Sequence, residues 1–335
     1  MPDGFGYNAS IGFAEETVWG TAVARTKFME IISEGIKASV ERQESPSTRS
    51  LSERRRNDFL ISVAGPIEME GIYQGLEKLW KHLFGAVATT GPTDTVVYSH
   101  QFTFADALPA GLSIEAFRGD DANLEAASAD SAHLYAGCKI ASATLSFKPN
   151  EPFKVTFNIV GKLETIVAKT AVTFPDLSGA LLIKGHQLVC ERDDAAQTID
   201  EAEITIDNGL NTGKRVMGSQ YIAQPVRNTR RKVTGKLMAD WTDKVIYNAF
   251  MSSAGAATGT NFKLELLLTG AVIPGSASTP YAYNLTLPAC KLDGETPNVS
   301  SPGILKQAMP FFALATGTGT SDAAYLDIKN ALVSV

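Results

Sequence analysis

Two clusters of basic residues stand out in this 335-residue chain: Arg49, Arg54, Arg55 and Arg56 in one polar stretch, and Arg227, Arg230, Arg231 and Lys232 in another. Guanidinium groups at that density bind phosphates or carboxylates. Glu41, Glu44, Glu53 and Asp58 interleave with the first group, and no aromatic platform accompanies it. The pattern therefore fits an ionic contact between protein surfaces better than direct nucleic-acid recognition. His82, His100, His133 and His186 fall on different predicted elements without metal-ligand spacing. No nucleophile elbow, Walker loop, dinucleotide fingerprint or Ser-x-x-Lys pair occurs, and acid pairs such as Glu15/Glu16, Glu68/Glu70, Asp120/Asp121 and Asp193/Asp194 read as solvating. A non-enzyme without cofactor or metal is expected. Cys138, Cys190 and Cys290 are odd in number and far apart, which argues against disulfides and structural zinc and for small buried packing residues. Trp80 and Trp241 read as core, and Trp19, near the N-terminus, as the tryptophan that buries itself against another subunit.

The elements that would carry these residues are mostly strands. Phe59, Ile61, Val63, Ile67 and Met69, and again Phe153, Val155, Phe157 and Ile159, follow the period of two that gives a strand one buried face. After Gly71 the period changes: Ile72, Leu76, Leu79, Trp80, Leu83 and Phe84 form a helical stripe, closed by Gly85 as a C-cap. Trp241, Val245, Ile246, Ala249 and Phe250 make a similar stripe. Further strands are predicted near 27–41, 95–105, 111–118, 134–147, 181–191, 199–206, 261–269, 281–288 and 303–314. The polar segments 42–58 and 207–228 exceed ordinary hairpin length and read as loops that either act on a neighbour or are disordered.

An internal repeat organises these elements. Val63–Gly85 lies over Val233–Gly255 without a gap at an offset of 170, matching Gly65 to Gly235 and Trp80 to Phe250. Downstream, the residues around Cys138 match those around Cys290 at 152, and the strand at Ile114 matches that at Leu264 at 150. The falling offset suggests longer loops in the first copy. We read the chain as mainly antiparallel β with some helix (α+β), divided into an N-terminal arm (1–26), one copy (27–170) and a second (171–335). Composition agrees with a folded protein: 44% apolar, 20% charged, mean hydropathy −0.01 and net charge −6. The charge divides as 16 basic against 21 acidic residues before 171 and 14 against 15 after it, so neither half looks built to hold phosphates. With no apolar run long enough to span a bilayer and no signal-like start, cytosolic assembly away from membranes is expected.

The string Ile11–Ile31, IGFAEETVWGTAVARTKFMEI, resembles the opening of a family of phage tail tube proteins: an acidic pair, Glu15 and Glu16, precedes Thr17, Gly20 and Thr21. The likeness runs through the arginine-bearing stretch to Val63–Gly85. It implies two tandem β-sandwich or barrel-like tube domains, each flanked by one helix, in a structural virion protein. Such subunits form rings that stack into a tube for genome passage. Its partners would be itself, the terminator, tape-measure and distal tail proteins, and passing double-stranded DNA that is not specifically bound; its place would be the virion tail, built in the host cytoplasm. Two units per chain predict three chains per ring. Trp19 and the arginines at 49, 54, 55, 56, 227, 230 and 231 would be inter-subunit contacts. Alternatives are the tube of a phage-derived injection particle, a distal tail or tail-terminator protein, and a duplicated β-sandwich carbohydrate-binding module.

Overall fold

The computed structural model describes residues 9–44, 56–118, 132–172, 174, 181–241, 251, 260–294, 299 and 302–335. The first half contributes β1 (Ser10–Glu16), β2 (Lys27–Met29), β3 (Ser33–Glu34), β4 (Lys37–Glu44), β5 (Arg56–Glu70), the helix α1 (Glu77–Phe84), β6 (Gly85–Thr90), β7 (Tyr98–Phe104), β8 (Gly111–Phe117), β9 (Ala132–Phe147), β10 (Lys154–Gly161) and β11 (Leu163–Val167). The second contributes β12 (Leu188–Arg192), β13 (Ala195–Gln197), β14 (Glu201–Asp207), β15 (Lys232–Asp240), β16 (Phe262–Val272), β17 (Pro280–Leu292), β18 (Lys306–Ala313) and β19 (Tyr325–Asn330). All ladders between these strands are antiparallel, which makes the fold mainly β. The helical stripe forms α1 from its N-cap Leu76 onward, while Ile72 lies before the helix in a single bridge to Leu182; Gly85 ends the helix at a φ of 108° that favours glycine. The similar stripe that starts at Trp241 falls almost entirely outside the described residues.

A smaller sheet runs β2–β1–β8–β9–β11. Ser10–Glu16, within the stretch read as an arm, is thus an inner strand. A larger sheet runs from β3 and β4 through β5, β10, β9, β14, β15 and β18 to β17. At β17 it divides, toward β16, β12 and β13 on one side and β19, β7 and β6 on the other. The 16-residue β9 serves both sheets. Its first part lies between β8 and β11, its second between β10 and β14, and Gly137, at a φ of 67°, stands between them.

The same pairing scheme occurs twice. Leu112 faces Cys138 and Phe262 faces Cys290, and in both ladders the register shifts before the next pair, at Ile114 and at Leu264. Val63 faces Gly161 as Val233 faces Ala313; Ile159 faces Ile140 as Phe311 faces Leu292; Glu34 faces Ile67 as Ala202 faces Leu237. The matched glycines share a constraint from the neighbouring backbone, to which Gly235 adds a closer ring carbon of Phe311. A Cβ on Gly65 would sit 2.1 Å from the carbonyl oxygen of Gly35, and a Cβ on Gly235 would sit 2.9 Å from that of Glu203, the equivalent position of the neighbouring strand.

The fall in offset, expected from longer loops, has another cause. The offset falls by twenty between Gly85, matched to Gly255, and Ile114, matched to Leu264, and that stretch of the first half holds the β6–β7 hairpin, which pairs with β19 from the other half. Segment 42–58 also differs from a simple loop, because its ends extend a ladder in which Arg42 faces Asp58 and Glu44 faces Arg56.

One hydrophobic cluster runs through both halves, from Ile11 to Ile328. Trp80 of α1 meets Phe157 of β10 and Tyr283 of β17 edge-on, with centroids 5.2 Å and 5.8 Å away. Phe147 stacks on Phe153 at 4.3 Å, and Phe153 packs at 5.5 Å from Tyr283. The first half's helix therefore shields apolar surface of both halves from water, the main driving force for such packing.

Candidate assembly surfaces

The acidic pair near the start of the chain does two different jobs. Side chains alternate along β1, so Glu15 and Glu16 leave on opposite faces. Glu15 accepts from Lys81 Nζ at 2.9 Å and His82 Nε2 at 3.2 Å, both on α1. The bond from His82 pulls its carboxyl down to about 2, helped by Lys81 against the opposing effect of burial. Burial pushes His82 itself below the ordinary imidazole range. Glu16 is buried and accepts from the backbone N–H of Gly20 at 2.7 Å, the hydroxyl of Ser113 at 2.9 Å and the N–H of Gly137 at 2.8 Å. It ties the turn after β1 to β8 and to the bend of β9. Gly20 takes a φ of 76° in that turn, which accounts for a glycine three residues after Thr17.

Trp19 belongs to this node. Its indole N–H donates to Gly137 O at 2.9 Å, and Lys162 lies over the ring at 5.1 Å from its centroid. Trp19 is thus half-buried on its own chain. Nearby, Arg25 and Glu115 form an ion pair, and Glu115 also accepts from the N–H and hydroxyl of Thr170.

The first arginine cluster is described only in part: Arg49, Arg54 and Arg55 lie outside the described residues, while Arg56 opens β5 and is exposed. Beside it, Arg42 and Asp58 form an exposed ion pair at 2.7 Å, a kind that adds little stability in water. The second cluster is described throughout, and its members diverge. Arg230 is exposed. Arg231 turns inward, lies over Phe104 at 3.8 Å and donates to Asn208 Oδ1 at 3.0 Å and Ala105 O at 3.2 Å. Arg227 donates to Ala105 O at 2.9 Å. Two of these arginines therefore pin the second half to the end of β7 in the first. Their long loop folds back on its own chain as well, with Ile61 N–H of β5 donating to Gln220 O at 2.8 Å.

The histidines are placed apart: His100 bonds Thr89 and Asn330, His133 bonds Glu164, and His186 lies in a short 3-10 turn. All three cysteines are buried and free. Glu191, Asp194 and Glu265 approach one another closely enough to suggest a cation site, but Lys263 already pairs with Asp194 at 2.5 Å and Glu265 at 2.8 Å. What this geometry offers is backbone ladders, interlocking loops and fixed charge.

Sequence reading missed Lys139, which is 4% exposed and follows Cys138 on β9. Its only signal was the Cys-Lys dipeptide shared with Cys290 and Lys291.

No curated protein matches the chain. The family model described as phage tail tube protein matches residues 6–313. That match begins before β1 and ends with the last residue of β18, so it takes in both renderings of the repeated ladder: the chain belongs to the phage tail tube protein family and is a structural protein of the phage tail.

Proposed function

We propose that this chain is the repeating subunit of the tube, that three copies close a ring of six like units, and that rings stack head to tail around a lumen for the genome. The observation that carries the reading is the repeated ladder together with its join. Within one chain, β14 of the second unit pairs with β9 of the first, from Ala202 opposite Phe147 to Asp207 opposite Ser142. A join made once inside each chain and repeated between chains closes six units with three polypeptides. Stacking along the axis is open, as a filament requires.

The division into an arm (1–26) and tube units 27–170 and 171–335 belongs to this proposal, as do the contact roles of Trp19, Arg49, Arg54, Arg55, Arg56, Arg227, Arg230 and Arg231. Arg231 and Arg227 are better placed to hold the units of one chain together, which leaves Arg230 and the arginines at 49, 54, 55 and 56 as ring-to-ring contacts. A net charge of −6 per chain favours a lumen that repels phosphates and lets DNA slide. Terminator, tape-measure and distal tail proteins are the proposed partners at the tube's ends, with assembly in the host cytoplasm.

Negative-stain electron microscopy and mass measurement of purified assemblies test this. Rings whose mass is three times the 35.8 kDa chain support it. Rings of six chains, or a monomer at every concentration, refute it.

A further inference from the structure

Where the halves meet, Asp106, Ala107 and Leu108 after β7, the loop residues Leu210 and Gln224–Arg227, and Lys139 of β9 line a cleft of about 340 Å³. The cleft is rich in positive charge with little to balance it. Lys139 is 4% exposed, and its ammonium has no hydrogen-bond or ion-pair partner among the described residues. Arg227 spends one nitrogen on Ala105 O, yet its Nε is buried without a partner. Arg231 stands close enough for the two guanidinium charges to repel, with Asp322 and Asp106 offsetting part of its charge. The carboxylate at the rim, Asp106, is fully exposed and reaches Arg227 only at 4.0 Å. From α1, His82 adds no negative charge.

A nearly buried ammonium and a half-buried guanidinium with little counter-charge are costly, and two such cations lining one cleft form a receptor for an oxyanion. We propose that the cleft is an oxyanion site and that a carboxylate side chain from a second copy of this chain fills it in the assembled state. The occupant rests on the self-assembly reading above. Duplex phosphates meet basic groups presented on an open face, whereas Lys139 is nearly buried in a cleft that it shares with Leu108, Leu210, Pro225 and Val226. An Asp or Glu side chain can enter such a cleft. The chain has carboxylates to supply, with 36 acidic residues against 30 basic ones.

The test has two arms on the full-length protein. In the unassembled subunit, inorganic phosphate is expected to raise the melting temperature above that in chloride of equal ionic strength, and Lys139→Met to abolish the difference. An equal response in both salts, or in wild type and variant, overturns the site. In assembled tubes, cryo-electron microscopy is expected to show a neighbouring chain's carboxylate within hydrogen-bond distance of Lys139 Nζ. Lys139→Met and Arg227→Gln are each expected to raise the critical concentration for assembly at least about 30-fold, the lower end of what losing one partner of a buried ion pair costs. Unchanged folding by circular dichroism would show that this loss is not misfolding. Tubes in which the cleft stays open, or in which DNA phosphate occupies it, refute the second-copy occupant alone. Failure to form rings at all would instead refute the assembly reading, and the occupant with it.

Discussion

Replacing Gly65 and Gly235 separately by alanine asks whether the two halves melt as one body. At Gly65 the new methyl would lie 2.1 Å from Gly35 O and 2.5 Å from Ile36 Cα, both backbone atoms. Strands β3 and β5 must part there, which strains the flanking bonds from Ile32 N–H to Glu68 O and from Gly35 N–H to Pro66 O, both 2.9 Å. Overpacking at about 1–3 kcal/mol plus two hydrogen bonds at about 1 kcal/mol each gives a loss of about 4 kcal/mol. At Gly235 the first obstacle is a ring carbon of Phe311 at 2.3 Å, with Glu203 O at 2.9 Å. A ring can turn where a backbone cannot, so about 2 kcal/mol is expected.

If all 335 residues unfold together, the entropy of unfolding is about 0.7 kcal/mol per kelvin, and the two melting points fall by about 6 °C and 3 °C. Differential scanning calorimetry of the unassembled subunit reads this directly. A single transition moved by either substitution is expected, because one core and two inter-half ladders connect the glycines. Two resolved transitions, each displaced by only its own substitution, would refute that reasoning. So would a larger drop for Gly235→Ala than for Gly65→Ala.

Glu16→Ala removes the acceptor shared by Gly20, Ser113 and Gly137 and is expected to cost about 3–5 kcal/mol by urea denaturation; a loss below about 1 kcal/mol would show that water replaces the carboxylate. His82 has a lowered folded pKa, so the stability it contributes is present above its ordinary value of 6.5 and declines as pH falls through that value. Denaturation midpoints should drop from pH 8 to pH 5, less so in His82→Gln, while Glu15 contributes its own loss only between 4.5 and about 2. Cys138, Cys190 and Cys290 should resist a thiol reagent in the native protein and all react in denaturant, because burial both shields them and raises their pKa values; one fast-reacting thiol in the folded state would contradict this placement.

Much of the architecture could be read from residue order because single-faced elements leave periodic traces. Phe153, Val155, Phe157 and Ile159 alternate on β10, and the stripe from Leu76 to Phe84 ends at a glycine that needs a positive φ. Elements that use polar residues inside left no such trace. In β1, which lies within the stretch read as an arm, the buried Glu16 hides the pattern of an inner strand. In β19 the buried Asn330, which donates to Tyr73 O and Glu77, interrupts the apolar pattern. Strand β7 was expected within 95–105, but β6 was missed because it follows the helix with no linker and carries only short side chains, Gly-Ala-Val-Ala-Thr-Thr. Lys139 was hidden for a different reason: β9 is covered on both faces there, so burial does not alternate.

The sharing of β9 between sheets bears on how such a gene can change. A polypeptide ending near residue 170 would leave the outer rows of β7 and β9 with unanswered peptide groups, ready to capture any passing strand. Neither half could stand as an independent protein without first rebuilding those borders. On the proposal that the halves are two like units, the duplication is hard to reverse: drift in one half is constrained by the other, and the smallest thing selection can act on is the pair.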